Sequence, residues 1–383
     1  MSAPASRRWP DWACGLPEAL QLTLAFALAA GVAVLATPVA IHVAARTGFL
    51  DQPLGYKRHV RATPYLGGAA VMAAVVPLAL LLGGSGASLA LIVAGALVMW
   101  IIGTIDDRVL LSPWPRLGVE AGLGATLWVA GLGWSAFNSD VASLALTIVW
   151  IVGLVNAFNL MDNLDGAAGT VGAVCAAGVS AAVLSQGSLT FALAAIVLSG
   201  ACAGFLVWNL QRPARIFLGD GGSMPIGFLV AAVLMAVSRD ENGLGAAAVV
   251  AAAPLLGLPI LDTTLVMVSR TRRGVRLLSG GRDHLTHRLL GVVGTPQRVA
   301  IALAGLQAAL CGLGIVLLHA GTVPVLAAGI AYIVSGATAI VWLDRHRALQ
   351  PEWHQAPRLG AEPVPGSAEP AIATSVAGQE TTP

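Results

Sequence analysis

The stretch VASLALTIVWIVGLVNAFNLMDNLDGAAGTVGAVCAAGVSAAVLS, residues 141–185, decides the fold. Two apolar runs, 141–156 and 167–185, flank a short polar segment, and each run is about as long as a helix that crosses hydrocarbon. The same alternation extends along the chain. Apolar stretches lie near 20–44, 66–83, 87–103, 117–133, 141–156, 167–185, 189–208, 224–238, 243–268, 299–318 and 322–343. With 57% hydrophobic and 10% charged residues and a mean hydropathy of +0.81, the composition is that of an integral membrane protein. The predicted fold is therefore all-α and polytopic, with about eleven transmembrane helices and a site built in the connecting loops.

Charge sets the orientation. If the eleven spans alternate sides, one side receives 18 of the 21 Lys and Arg residues, and the other only Arg7, Arg8 and Arg239. By the positive-inside rule the first side is cytoplasmic. A net charge of +2 gives no reason to expect nucleic-acid binding. Arg7 and Arg8 ahead of the first apolar run resemble a secretory signal, but the run is too long for one and is read as a retained helix. Residues 1–19 are expected to form an N-terminal extracytoplasmic segment, 20–343 the transmembrane domain, and 344–383 a disordered cytoplasmic tail. Cys14, Cys175, Cys202 and Cys311 have no metal or redox spacing and are read as packing residues.

The polar motifs all fall on the predicted cytoplasmic side. In 156–165, Asn156, Asn159, Asp162 and Asp165 recur every third residue, a stripe that drifts about 60° per step on a helix. Asn156 with Asn159, and Asp162 with Asp165, are expected to serve two sides of a pocket; the structural alternative is a capped helix end. Asp106 and Asp107 are adjacent and point about 100° apart on a helix, so one can face a metal while the other accepts a proton or is held by a cation. In Phe217-Leu218-Gly219-Asp220-Gly221-Gly222-Ser223, glycines ahead of an apolar helix suggest backbone N–H groups approaching a phosphate. Asp220 there would hold a counter-ion, with Mg²⁺ favoured by all-oxygen ligands. Phe217 suits either core packing or stacking on a flat base.

The loop 269–298 holds seven arginines and the run Arg282-Asp283-His284-Leu285-Thr286-His287-Arg288. His284 and His287, three apart, suit one helix face; without Cys or HExxH, Arg contacts to phosphate oxygens fit better than zinc. Lys57 is the only lysine and is a candidate partner for the Asp106–Asp107 pair. A secondary transporter would carry acids at mid-membrane on broken helices and show internal repeats. Here only Asp262 is read as lying well inside a span.

Together the motifs, in order over residues 20–343, resemble the polyprenyl-phosphate N-acetylhexosamine-1-phosphate transferases of the glycosyltransferase 4 type. The resemblance implies transfer of a sugar 1-phosphate, with N-acetylglucosamine the expected sugar, from a UDP-sugar to a polyprenyl phosphate such as undecaprenyl phosphate. UMP is released on the cytoplasmic face of a bacterial inner membrane, and the product begins a cell-envelope polysaccharide. Another UDP-N-acetylhexosamine or UDP-muramoyl-pentapeptide is the alternative donor.

By this resemblance Asp220 and Asp107 hold Mg²⁺, with Mn²⁺ as a substitute, and Asp106 and Asp107 serve the acceptor phosphate. Asn156, Asn159, Asp162 and Asp165 bind the nucleotide sugar, and Phe217 stacks on uracil. His284 and His287 line the sugar and diphosphate, and Lys57 and Arg116 lie near the phosphates. Asn209, Arg282 and Arg288 complete the substrate-binding set, and a homodimer is an allowed assembly. Tyr56, Thr286 and the spacer 209–213 depart from the family pattern.

Overall fold

The computed structural model describes residues 16–51, 62–84, 86–109, 111–237, 245–276 and 281–345. Lys57, Tyr56, Cys14, Arg7, Arg8, Arg239 and nearly all of the predicted tail lie outside the described residues. The helices are α1 (Glu18–Thr47), α2 (Gly67–Gly83), α3 (Ala87–Val109), α4 (Pro113–Val129), α5 (Asp140–Met161), α6 (Ala167–Ser185), α7 (Leu189–Asn209) and α8 (Asp220–Val237). They continue with α9 (Ala246–Ala252), α10 (Gly257–Arg273), α11 (Leu285–Val293), α12 (Pro296–Leu318) and α13 (Thr322–Arg345). A two-stranded antiparallel ribbon, β1 (Leu50–Asp51) with β2 (Thr63–Pro64), precedes α2. The protein is thus an all-α multi-pass membrane protein. By length and composition, eight described helical segments are long and apolar enough to cross a membrane, and α2 and α8 are shorter apolar helices.

The centre of the bundle is α8. A helix that is apolar all round must be enclosed, and every residue from 221 to 236 is buried. Around it pack α2, α3, α5 and α6. Small residues bring other helices to backbone contact. On α7, a Cβ at Gly200 or Gly204 would lie 2.3 Å from the Phe26 carbonyl oxygen or 2.2 Å from that of Ala30 in α1. The opposite side of that contact is an alanine stripe, Ala25, Ala29 and Ala33, buried at four-residue spacing. At the periphery, α13 presents Val323, Ile330, Ile333 and Val334 outward, as a lipid-facing helix does.

The predicted span 243–268 is met by the membrane-span candidate Ala246–Arg273, but its helix is interrupted: a 3-10 turn, Ala253–Leu256, separates α9 from α10 at Pro254. Proline removes an N–H and clashes with the preceding turn, and the freed groups need partners where no water reaches. Buried Gln307 of α12 supplies them. Its Nε2 donates to the carbonyls of Pro254 (3.2 Å) and Leu255 (2.9 Å), and its Oε1 accepts from Leu258 N–H at 2.9 Å. Gln307→Leu is expected to cost about 3 kcal/mol, because buried backbone groups lose their partners. Thermal unfolding in detergent would show it as a lowered midpoint, and an unchanged midpoint would count against this role.

Candidate active site

The C-terminal ends of α3 and α5 meet the N-terminal ends of α4 and α8. Adjacent positions on α3 do diverge: Asp106 turns toward α4, where it pairs with Arg116 and accepts Leu111 N–H at 2.5 Å. Asp107 turns toward α8, where its Oδ1 accepts Asp220 N–H at 2.9 Å and its Oδ2 accepts Gly221 N–H at 3.0 Å. An acid at a helix N-terminus satisfies donors that have no partner within the helix and faces the positive end of its dipole. Asp107 therefore acts as an external cap for α8, with both oxygens engaged.

That arrangement corrects the expected phosphate cradle. Asp220 opens α8 and does not precede it, and the N–H groups at the turn are already taken. Gly219 N–H goes to Asp162 Oδ2 at 3.0 Å, and Gly222 and Ser223 N–H both go to the Gly219 carbonyl at 2.9 Å. The glycines serve close packing. Gly219 has φ +74°, and a Cβ at Gly221 or Gly222 would lie 2.5 Å from Thr104 Oγ1 or 2.3 Å from Leu218 Cδ1. The preceding loop is stitched to the start of α2 by Gly67 N–H to Phe217 O (3.0 Å) and Gly68 N–H to Leu218 O (2.9 Å). Half-buried Phe217 meets Tyr65 edge to face, ring centroids 6.0 Å apart.

The polar stripe on α5 divides differently from the expected pairs. Asn156 faces α4, contacting Arg116 at 3.5 Å and donating to Glu120. Asn159 Nδ2 donates to Ser223 Oγ of α8 at 3.4 Å, and Asp162 caps the Gly219 turn. So Asn159 and Asp162 share the α8 side, while Asp165 lies beyond the helix in the turn leading to α6. Asn209 clasps that turn, accepting Gly166 N–H at 2.7 Å and donating to Ile216 O at 2.8 Å. It is buried, a positioning place and not the substrate contact expected of it.

The histidine loop is held from several directions. Buried Asp283 takes a bidentate pair from Arg270, at 2.7 and 2.8 Å. Burial raises this carboxyl, but the Arg270 guanidinium more than offsets that and holds it below the usual range. Thr286, the departure from a histidine run, donates to Asn163 Oδ1 and so ties α11 to the turn after α5. His284 is the N-cap of α11 and His287 lies in its first turn, three positions on. Burial above all pushes His287 down to about 4, so it is neutral near pH 7. Arg288 is also corrected: it is 2% exposed and its donors go to Asp283 O, Leu343 O and Ser269 Oγ, which makes it a brace of the loop.

Several residues near the site were missed from the sequence. Glu120, fully buried, lies in the span 117–133, so Asp262 is not the only acid well inside an apolar stretch. Tyr65 lies beside the acids, and burial followed by the Asp107 charge raises its phenol far above the ordinary range, keeping it protonated. Ser223 and Asn163 act as the partners named above. An acid amid apolar neighbours was a legible signal for Glu120; nothing local distinguished Tyr65.

The donor set bears on metal binding. Asp106 and Asp220 share the Arg116 guanidinium, with Nη1 3.3 Å from Asp220 Oδ2, and Asp107 and Asp162 grip the backbone on either side of Asp220. Burial, and then the Asp220 charge, raise the Asp162 carboxyl to about 8. Such an excess of anionic oxygens fits a hard cation. Among the described residues no three His, Cys, Asp or Glu side chains form a ready cage, and Mg²⁺ does not require one, since it uses one or two carboxylates with waters and substrate phosphates. Among the described residues Arg116 Nε and Glu120 Oε1 are buried with no hydrogen-bond partner.

Residues 89–238, which carry the acidic pair, the α5 stripe and the Asp220 turn, match the model of glycosyl transferase family 4. The chain is 32% identical over 342 residues to a decaprenyl-phosphate N-acetylglucosaminephosphotransferase of Mycolicibacterium smegmatis, covering 79% of this chain and 83% of that protein. It is 30% identical over 292 residues to the undecaprenyl-phosphate alpha-N-acetylglucosaminyl 1-phosphate transferase of Escherichia coli K12, covering 70% and 76%. A probable undecaprenyl-phosphate N-acetylglucosaminyl 1-phosphate transferase of Bacillus subtilis is 26% identical over 314 residues, covering 79% and 87%.

Proposed function

The chain belongs to glycosyl transferase family 4, and on that premise we propose that it moves N-acetylglucosamine 1-phosphate from UDP-N-acetylglucosamine to a polyprenyl phosphate. An oxygen of the acceptor phosphate forms a bond to the sugar-bearing phosphorus of the donor. The bond from that phosphorus to the bridging oxygen breaks, and UMP leaves. The observation that carries this reading is the gathering of four acids where α3, α4, α5 and α8 meet: Asp106 and Asp220 pair with Arg116, while Asp107 and Asp162 hold the turn that presents Asp220. Transfer between phosphates requires charge neutralisation and alignment more than covalent help.

Asp220 is the proposed Mg²⁺ ligand, with Asp162 beside it; the ion, when bound, supplies neutralisation of phosphate oxygens. Asp107 fixes the turn that presents Asp220, so its part is the placement of that ligand. Asp106 orients Arg116, whose unpartnered Nε is a donor for a phosphate oxygen. Asn156 and Asn159 on one side and Arg282 with the histidine loop on the other enclose the donor. The site faces the cytoplasm of a bacterial inner membrane in this proposal, supported by the distribution of Lys and Arg along the chain. The transporter reading gains nothing from the broken helix, because Asp262 is engaged by His284 and Leu285.

Purified protein given UDP-N-acetylglucosamine, undecaprenyl phosphate and Mg²⁺ is expected to release UMP. EDTA should stop release and Mg²⁺ restore it. Release from UDP-N-acetylgalactosamine or UDP-muramoyl-pentapeptide, with none from UDP-N-acetylglucosamine, would overturn the donor assignment. Turnover indifferent to EDTA would overturn the metal.

A further inference from the structure

Asp262 has no part in the acidic cluster, yet it is a fully buried acid within α10. Its two oxygens serve two different groups. Oδ1 accepts the N–H of Leu285, the first residue of α11, at 2.6 Å; Oδ2 lies 2.8 Å from Nδ1 of His284. His284 stands at the N-cap of α11 with extended backbone (φ −66°, ψ 153°), and its side chain makes no cap bond of its own. The cap is supplied from another helix. That explains the Leu285 contact, but capping needs only one oxygen, and the ring contact remains to be accounted for.

An ionised carboxylate only accepts, so the proton in the His284 contact resides on Nδ1 and leaves Nε2 as the nitrogen for ligand chemistry. Around this pair, Arg270 grips Asp283 next door and Thr286 is tied to Asn163. His284 is thus held on both chain sides as well as through its ring. We infer that Asp262 is a positioning residue that fixes the tautomer and orientation of His284 toward the sugar diphosphate, an inference whose catalytic consequence rests on the proposed transferase reaction. Carboxylates that orient a functional imidazole in this way govern turnover without touching substrate.

Asp262→Asn separates positioning from capping. The amide oxygen can still accept Leu285 N–H, while its NH₂ group now donates to Nδ1 and drives the proton to Nε2. Protein labelled with ¹⁵N-histidine, with the His284 resonance assigned by its loss in His284→Gln, reads the tautomer directly. Wild type is expected to show a protonated Nδ1, and Asp262→Asn a protonated Nε2 with Nδ1 bare. In UMP release, Asp262→Asn should lose about a hundredfold or more in kcat, with KM for UDP-N-acetylglucosamine and the unfolding midpoint near those of wild type. Asp262→Ala, which also removes the cap, should lower the midpoint as well.

An unchanged His284 spectrum in Asp262→Asn, or undiminished kcat, overturns the inference; so does a loss of kcat matched by an equal loss of folded protein. Should wild type release no UMP from any UDP-sugar, the transferase reading fails by itself, and the histidine spectra still decide whether Asp262 sets the ring.

Discussion

Asp220→Ala is expected to reduce UMP release at least about a thousandfold while the protein unfolds at the same temperature as the parent or a higher one. The two effects have one cause. Asp220 stands among Asp106, Asp107 and Asp162, and among the described residues Arg116 is within ion-pairing distance of it and of Asp106. Like charges in a poorly hydrated pocket repel, and deleting one relieves that repulsion. The cost is small, because Arg116 keeps Asp106 and the cap of α8 comes from Asp107, which uses backbone N–H groups that alanine retains. Asp220→Asn should behave alike, since an amide cannot replace the anionic ligand. Wild-type turnover in either variant would remove Asp220 from the proposed metal site. Lost turnover with a sharply lowered midpoint would show that the carboxylate holds the fold instead.

How much of this was legible in the sequence depends on the range of the forces involved. Apolar run length reports helices directly, and the described helices fall on the predicted stretches apart from α11, which lies in the predicted loop 269–298; Pro254 also breaks a run that hydropathy reads as continuous. The divergence of Asp106 and Asp107 was legible because it follows from helix geometry within one turn. The glycines of the Asp220 turn were misread for the opposite reason. Glycine ahead of a helix signals close approach of something to the backbone, but local sequence cannot say whether that is a phosphate or, as here, the neighbouring α2 and α3. Arg288 was misjudged similarly: a charge beside an apolar helix signals importance, while the Leu343 carbonyl it reaches lies 55 residues away; Asp262 was correctly placed inside a span, but its partner, 22 residues on, could not be read from the sequence. Asn209 looked like a ligand because clasping a turn and binding a substrate use the same amide groups.

Gly103→Ala is expected to disable the site from a position that touches no proposed substrate group. A Cβ there would lie 2.3 Å from the Asp220 carbonyl oxygen, 2.5 Å from its carbon and 2.7 Å from Gly221 N, all of them backbone atoms that cannot rotate aside. Relief requires α3 and α8 to separate by about 1 Å, since non-bonded heavy atoms settle near 3.5 Å or beyond. Asp107 lies one helical turn further along α3, and its bonds to the Asp220 and Gly221 N–H groups, 2.9 and 3.0 Å, cannot survive that displacement unchanged. Overpacking should cost about 3 kcal/mol, and misplacing Asp220 by such a distance should lower kcat about a hundredfold. Gly122→Ala in α4 is the control, because nothing lies within 4 Å of its added Cβ; it should leave UMP release intact and the midpoint unchanged or slightly raised. If Gly103→Ala kept full turnover and stability, the backbone contact between α3 and α8 could not be what aligns Asp107 with Asp220. Loss of turnover in both variants would point to a general intolerance of added side chains in these helices.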